Sequence, residues 1–411
     1  NSNTLNINVA FINEGSLLKS TGGGQLVFTS GVTQDNNSLS NIDISSGQTV
    51  RIDTGNFNWN DGELKGLGTM SFTGGAVINI GGSGARVLDG LTVSSNNLTL
   101  GAGSLEIKSG SFNASGTTNI SSGATLQLTG GVFNPSGAFN NDGLIDLDVG
   151  NLSLGFGGAH TGDFDVASGT VLQFTGGTHA FNSGSDTFGS GDVAFTGGTS
   201  TYNTGSTYGI TGDAGINGGD VNFNVAATTN SLTHASNTLG GSGSLTVSNT
   251  WTPTSGVTID GNVVLGGSVN SSLSSFTLNG SGTLTNQGTL TLNAVTLNPS
   301  VDNDGGLLHL LVTTATNSFF NGALQNRNNA TLRLQGQQNN ADAVLTVSNS
   351  FTNDATSSIE LISGFGSNSE AQLILSAGTL TNAGLITSSS GNGQTNVINA
   401  GVDNYGDITI N

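Results

Sequence analysis

The sequence predicts an all-β chain, a parallel β-helix (a solenoid) with irregular coils of about 20–24 residues. Three observations carry that expectation. The first is a phrase repeated at one spacing: Leu172-Gln173-Phe174-Thr175-Gly176-Gly177, then Val193-Ala194-Phe195-Thr196-Gly197-Gly198, then Ala214-Gly215-Ile216-Asn217-Gly218-Gly219. The step is 21 residues each time (196 − 175 and 217 − 196), and Phe181-Asn182, Tyr202-Asn203 and Phe223-Asn224 keep it. The second is a turn phrase running from end to end: an apolar residue, Asn two later, Gly four later and an apolar residue six later. The third is that no apolar period of 3.6 residues is sustained anywhere, while Gly and β-branched residues abound, which disfavours helices. An array of β-sandwiches is the alternative.

Each 21-residue unit places two apolar residues two apart, as in a strand with one buried face, before a Gly-Gly break suited to a turn. Leu126, Leu128, Leu172, Phe174, Val193, Phe195 and Ile216 are the expected core. The turn phrase centres on Asn13, Asn141, Asn286, Asn303, Asn382 and Asn404, with looser copies at Asn326 and Asn353. It reads as strand, corner, strand: Asn tolerates the left-handed region and Gly supplies positive φ. Stacked on successive coils, such amides form a hydrogen-bonded ladder of the kind seen in cross-β structures. From Leu284 to Val402 the anchors step by 17, 23, 27, 29 and 22 residues, so coils differ in loop length. Asp43–Ile52 likewise parallels Asn119–Leu128 at an offset of 76. A single solenoid of roughly 17–20 coils is expected over residues 1–411, with an internal irregularity near 225–260.

Composition narrows function. Charged residues are 8% and apolar residues 34% of the chain, a balance that argues for folding rather than disorder. The net charge is −19, and between Lys108 and Arg327 there is no Lys or Arg against twelve Asp. Nucleic-acid binding needs the opposite balance, and an anionic membrane surface is disfavoured for the same reason. The longest apolar runs, such as Leu310-Leu311-Val312, are far too short to span a bilayer. There is no Cys, which fits a secreted bacterial protein independent of disulfides. Asn1 reads as a processed or trimmed start. Repeat turns at both termini, Phe11–Gly15 and Val402–Ile410, lead to the expectation that the chain is cut from a longer polypeptide or stacks end to end on further copies.

Phrases such as Gly66-Leu67-Gly68-Thr69, Gly282-Thr283-Leu284-Thr285-Asn286-Gln287-Gly288-Thr289-Leu290 and Gly378-Thr379-Leu380-Thr381-Asn382-Ala383-Gly384 resemble repeats of large bacterial secreted surface proteins. These are the β-helical passenger regions of autotransporters and of two-partner-secretion adhesins. The resemblance covers essentially the whole chain. It implies a right-handed parallel β-helix exported to the cell exterior, with a role in adhesion or scaffolding. No C-terminal barrel segment of the autotransporter kind is read in these residues.

Chemistry-bearing residues are sparse. His160, His179, His234 and His309 are scattered without metal-ligand spacing, and His179 is expected at the coil surface. No presented nucleophile, calcium nonapeptide array or phosphate loop is found. Trp59, Trp251, Tyr202, Tyr208 and Tyr405 are the aromatics expected to be partly exposed. One constellation is sharper: Asp146, Asp148, Asp163 and Asp165 alternate with apolar residues in two segments about one coil apart, so they fall on the outer face. Three readings stay open for them: solvated acids that keep edges soluble, a calcium site, and a carboxylate pair of the glycosidase kind. The resulting expectation is a non-catalytic extracellular structural or adhesive protein at the bacterial surface. Its partners would be itself, head-to-tail or laterally, or the glycans of a host or neighbouring cell. The alternative is a β-helical polysaccharide-active enzyme or glycan-binding fibre.

Overall fold

The computed structural model describes residues 4–34, 40–312, 317–336, 341–364, 369–390 and 394–411; Asn1 lies outside them. Among the described residues there are 48 strands and no helix. Paired strands run parallel, which excludes the sandwich alternative, and they stack in about 18 coils. The chain divides into two compact units, Asn1–Gly212 and Asp213–Asn411.

In the first unit each coil contributes three short strands to three sheets. Thr49–Ile52, Asn56–Trp59 and Gly62–Lys65 form one coil, followed by Thr69–Phe72, Val77–Ile80 and the start of Ala85–Ser95. Register places Val50 beside Met70, Phe57 beside Ile78 and Leu64 beside Leu88, and all six side chains are fully buried. Alternation along each strand thus becomes apolar columns along each sheet. Each buried side chain contacts its counterparts one coil away, so burial is achieved coil by coil, as in other solenoids. The second unit is built the same way. Leu284 pairs with Val301, Leu290 with Leu308 and Leu297 with Phe320.

The expected core residues Leu126, Leu128, Leu172, Phe174, Val193, Phe195 and Ile216 are all buried. The 21-residue repeat is the coil period at this point, with Leu172 in register with Val193, Phe174 with Phe195 and Phe181 with Tyr202. Its third Gly-Gly pair, Gly218-Gly219, separates the strands Ala214–Ile216 and Asp220–Phe223 as expected, but the first two do not end strands. Val171–Phe181 and Asp192–Tyr202 run continuously around the corner, with a register irregularity at the glycines. Gly177 and Gly198 take φ of 71° and 69°, and a Cβ on Gly198 would stand 2.0 Å from the Gly177 carbonyl oxygen. This bend shifts parity: Leu172 and Phe174 point inward before it, His179 and Phe181 after it.

The turn phrase is strand, corner, strand as expected, for example Phe139–Asn141 followed by Leu144–Leu147. Gly305 takes the expected positive φ, 78°, but other glycines of the phrase have a different reason. Gly143 and Gly288 have ordinary φ, but a Cβ on either would lie 2.3 Å from a carbonyl oxygen of the neighbouring coil, Ala124 or Val269. Close approach of successive corners is what selects glycine there. Gly288→Ala should therefore destabilise the second unit by about 1–3 kcal/mol through overpacking. Urea titration of the variant checks this, and an unchanged midpoint would mean that the corner has slack.

Candidate functional site

The eight asparagines of the turn phrase separate into two groups. In the second unit, Asn286, Asn303, Asn326, Asn353 and Asn382 are buried and point inward, one per coil. Each donates its side-chain N–H to the side-chain oxygen of the next, at 2.8 Å for Asn286–Asn303 and 2.7 Å for the following three steps. Asn382 then donates to exposed Asn404 at 2.7 Å. The second N–H of each amide clips a backbone carbonyl at the corner, such as Thr331 at 3.0 Å from Asn303 and Ser358 at 2.9 Å from Asn326. None of these asparagines has positive φ, so their role lies in the amide and not in left-handed turns. The ladder starts against Leu265, which pairs with Asn286 and leaves Asn286 Oδ1 without a partner.

In the first unit the phrase is not continued from coil to coil. Asn13 donates to Gln34 Oε1 at 2.8 Å and to the Asn41 carbonyl at 3.0 Å, and the coil after Gln34 places Trp59 in that column. Asn141 donates to the Asp163 carbonyl at 2.9 Å and accepts from the Gly143 N–H, with Ile120 and His160 as its register neighbours.

The column that contains Asn141 becomes aromatic as it proceeds: His160, then Phe181, then Tyr202. His179, expected at the surface, is fully buried beside it, as is His160. The parity shift at Gly176-Gly177 is the cause, because it turns position 179 inward together with 181. His160 Nε2 lies 3.1 Å from His179 Nδ1, and His179 Nε2 lies 3.2 Å from the Gly176 carbonyl oxygen. Phe139, Phe164, Phe174 and Phe181 surround the two rings. Burial, reinforced by the neighbouring His179 ring, pushes the His160 pKa down to about 3. Burial pushes that of His179 to about 4 against the opposing pull of the Gly176 and Leu154 carbonyls. His234 is also buried, held by the Asn237 carbonyl at 3.1 Å, and its pKa falls to about 4. His309 is half-buried and 3.0 Å from Gln335 Oε1.

The expected exposure of four aromatics is corrected. Trp59, Trp251, Tyr202 and Tyr208 have at most 2% of their surface exposed, whereas Tyr405 is 78% exposed. Tyr202 stacks on Phe181 with ring centroids 4.0 Å apart, and Tyr208 meets Tyr202 edge-on at 5.0 Å. Coil stacking turns a 21-residue aromatic repeat into a stack of rings.

The four aspartates face outward on two adjacent coils. Asp146 and Asp165 are register partners on adjacent coils. Asp163 pairs instead with Leu144, and its carboxylate accepts the Asp186 backbone N–H at 3.1 Å. Asp148 is exposed and accepts from Gln127 at 2.9 Å. Partial burial, then the charges of Asp148 and Asp165, raise the Asp146 pKa; partial burial also raises that of Asp163. Among the described residues no group of three or more His, Cys, Asp or Glu is placed to hold a metal ion. Comparison with protein-family models, curated proteins and solved structures found no match.

Sequence reading also passed over Arg86. Its side chain is buried, and all five guanidinium N–H groups reach backbone carbonyls: Asn60 (3.4 Å), Ala102 (2.9 Å), Ser104 (3.2 Å), Gly81 (2.9 Å) and Gly82 (2.7 Å). Gly103 leaves room for it, since a Cβ there would lie 3.1 Å from Arg86 Nη2. In the segment Arg86-Val87-Leu88 nothing in the residue types shows that the arginine, rather than the valine, turns inward.

Proposed function

We propose that this chain is a non-catalytic structural or adhesive β-helix of the bacterial cell exterior, its partners being further copies of itself or surface glycans. The observation that supports this reading most is the asparagine ladder: the most repeated motif of the chain is spent on binding coil to coil. The buried histidines and Arg86 are likewise turned to the interior. The resemblance to passenger and adhesin repeats supports export to the cell surface. Negative-stain electron microscopy of the purified chain, with glycan-array and cell-binding assays, tests the proposal. Filaments or saturable binding support it; dispersed particles that bind nothing count against it.

One observation favours a second reading, a polysaccharide-active enzyme. Asp146 and Asp165 are stacked one coil apart, about 4.8 Å along the stack, and the Asp146 carboxyl has a raised pKa, as a general acid requires. The same pair is where calcium would act. Without either role, the pair is a repulsion. Because the folded-state pKa of Asp146 is raised, this residue contributes more stability as pH falls and less as it rises through that pKa. Asp146→Asn should then stabilise the chain at neutral pH by on the order of a few tenths of a kcal/mol. Hydrolysis of a polysaccharide that Asp146→Asn abolishes would establish the enzyme reading. A melting temperature raised by millimolar calcium only in the parent would establish the ion.

A further inference from the structure

We propose that the His160–His179 pair is an acid-operated release built into residues 139–202 of the first unit: protonation opens these coils before the rest of their unit. His179 Nε2 faces the Gly176 carbonyl and so carries a hydrogen. In the neutral pair His179 Nδ1 is therefore the acceptor, and His160 Nε2 donates to it. His160 Nδ1 is left bare, buried and without a hydrogen-bond partner.

Adding one proton leaves two arrangements. If His160 takes it, the hydrogen goes on Nδ1. If His179 takes it, His179 donates from both nitrogens, His160 Nε2 must accept, and the hydrogen of His160 again moves to Nδ1. Both arrangements put an N–H where no acceptor stands, and both place a cation among phenyl rings. A buried donor without a partner and a buried charge without a counter-ion are each strongly unfavourable.

No anion faces the pair from the elements around it. On Asp163–Val166, Phe164 points at His160, while Asp163 and Asp165 lie on the half-buried outer face. Asp142, following Phe139–Asn141, is exposed and accepts from the Thr161 hydroxyl. Asn151–Leu154 carries no titratable side chain and presents the Leu154 carbonyl. On Asp192–Tyr202, Asp192 is exposed, Ser200 is the register neighbour of His179, and Tyr202 is buried against Phe181. The neighbouring Asp186 is half-buried and accepts from Thr207.

The sign follows. An unfolded histidine binds a proton near pH 6.5, whereas these two hold out to about 3 and about 4. Their stabilising contribution is complete above about pH 6.5 and is lost as pH falls below it. Two protons taken up on opening raise the opening constant by up to about a hundredfold per pH unit in that window. Asp146 and Asp163, with raised folded-state pKa values, oppose this at the acid end. Opening would expose Phe139, Phe164, Phe174 and Phe181, giving the protein an apolar surface only in acid.

Hydrogen exchange between pH 7 and pH 4, corrected for intrinsic rates, reads the opening constant segment by segment. Protection across 139–202 should fall with the steep two-proton slope, while 41–128, in the same unit and without histidine, falls less steeply. The double variant His160→Phe, His179→Ser uses residues that this chain already places in the two columns, Phe181 and Ser200; it should fold at pH 7 and lose the extra slope. Nitrogen chemical shifts of the parent imidazoles provide a check that needs no variant. Both should report the Nε2–H tautomer and stay neutral down to pH 5. Titration of either ring near pH 6.5, equal slopes in the two segments, or an undiminished slope in the double variant would overturn the proposal.

Discussion

Asn326→Leu should lower the stability of the second unit by about 3–5 kcal/mol, a fall of roughly 6–20 °C in melting temperature. The shape of the side chain is nearly kept, so the loss comes from stranded partners. Asn353 Oδ1 and the Ser358 carbonyl lose the donors now at 2.7 and 2.9 Å, and Asn303 loses its acceptor at 2.7 Å. Each buried group left unpaired costs about 1–3 kcal/mol. Asn326→Asp should be worse at neutral pH, because a carboxylate would face Asn353 Oδ1 with no hydrogen to give. Its pKa would be raised by burial, so this variant should regain stability as pH falls. Thermal melts of both variants at pH 7 and pH 5 check the magnitude and the opposite pH trends. A Leu variant within about 0.5 kcal/mol of the parent would mean that the amides are bonded to water instead.

Arg86→Met should be comparably damaging in the first unit, about 3–5 kcal/mol. Methionine fills much of the space but leaves five backbone carbonyls, contributed by residues 60, 81, 82, 102 and 104, without donors. These belong to corners of successive coils, so the guanidinium acts as a clasp. Arg86→Lys should recover part of the loss, since an ammonium has three donors where the guanidinium has five. Urea midpoints ordered parent, Lys, Met are the expected result, and equal midpoints for Lys and Met would show that packing rather than donor count matters.

The fold was largely legible because coil stacking converts sequence period directly into spatial column. Leu172 and Val193, or Phe181 and Tyr202, stand one period apart in sequence and in register in space. The asparagine ladder was legible for the same reason, despite steps of unequal length, because loops lengthen at corners while the Asn slot is kept. What failed was parity. A strand that bends at Gly176-Gly177 exchanges its inner and outer positions, so His179 could not be placed inward from alternation alone. Trp59 and Tyr202 are inside because their columns decide it, and amphipathic aromatics carry no sign in the sequence of which face they occupy. The aspartates faced outward as their alternation required, but the offset between coils paired Asp146 with Asp165 and set Asp163 beside Leu144.

Side-chain amide exchange measures the central claim, that the repeated asparagines are internal rungs joining coil to coil. In a selectively labelled sample, the side-chain amide hydrogens of Asn303, Asn326 and Asn353 should exchange with solvent orders of magnitude more slowly than those of exposed asparagines, and as slowly as the backbone amides of their own strands. Exchange at the rate of exposed asparagines would contradict the ladder, and with it the account of how this chain holds its coils together.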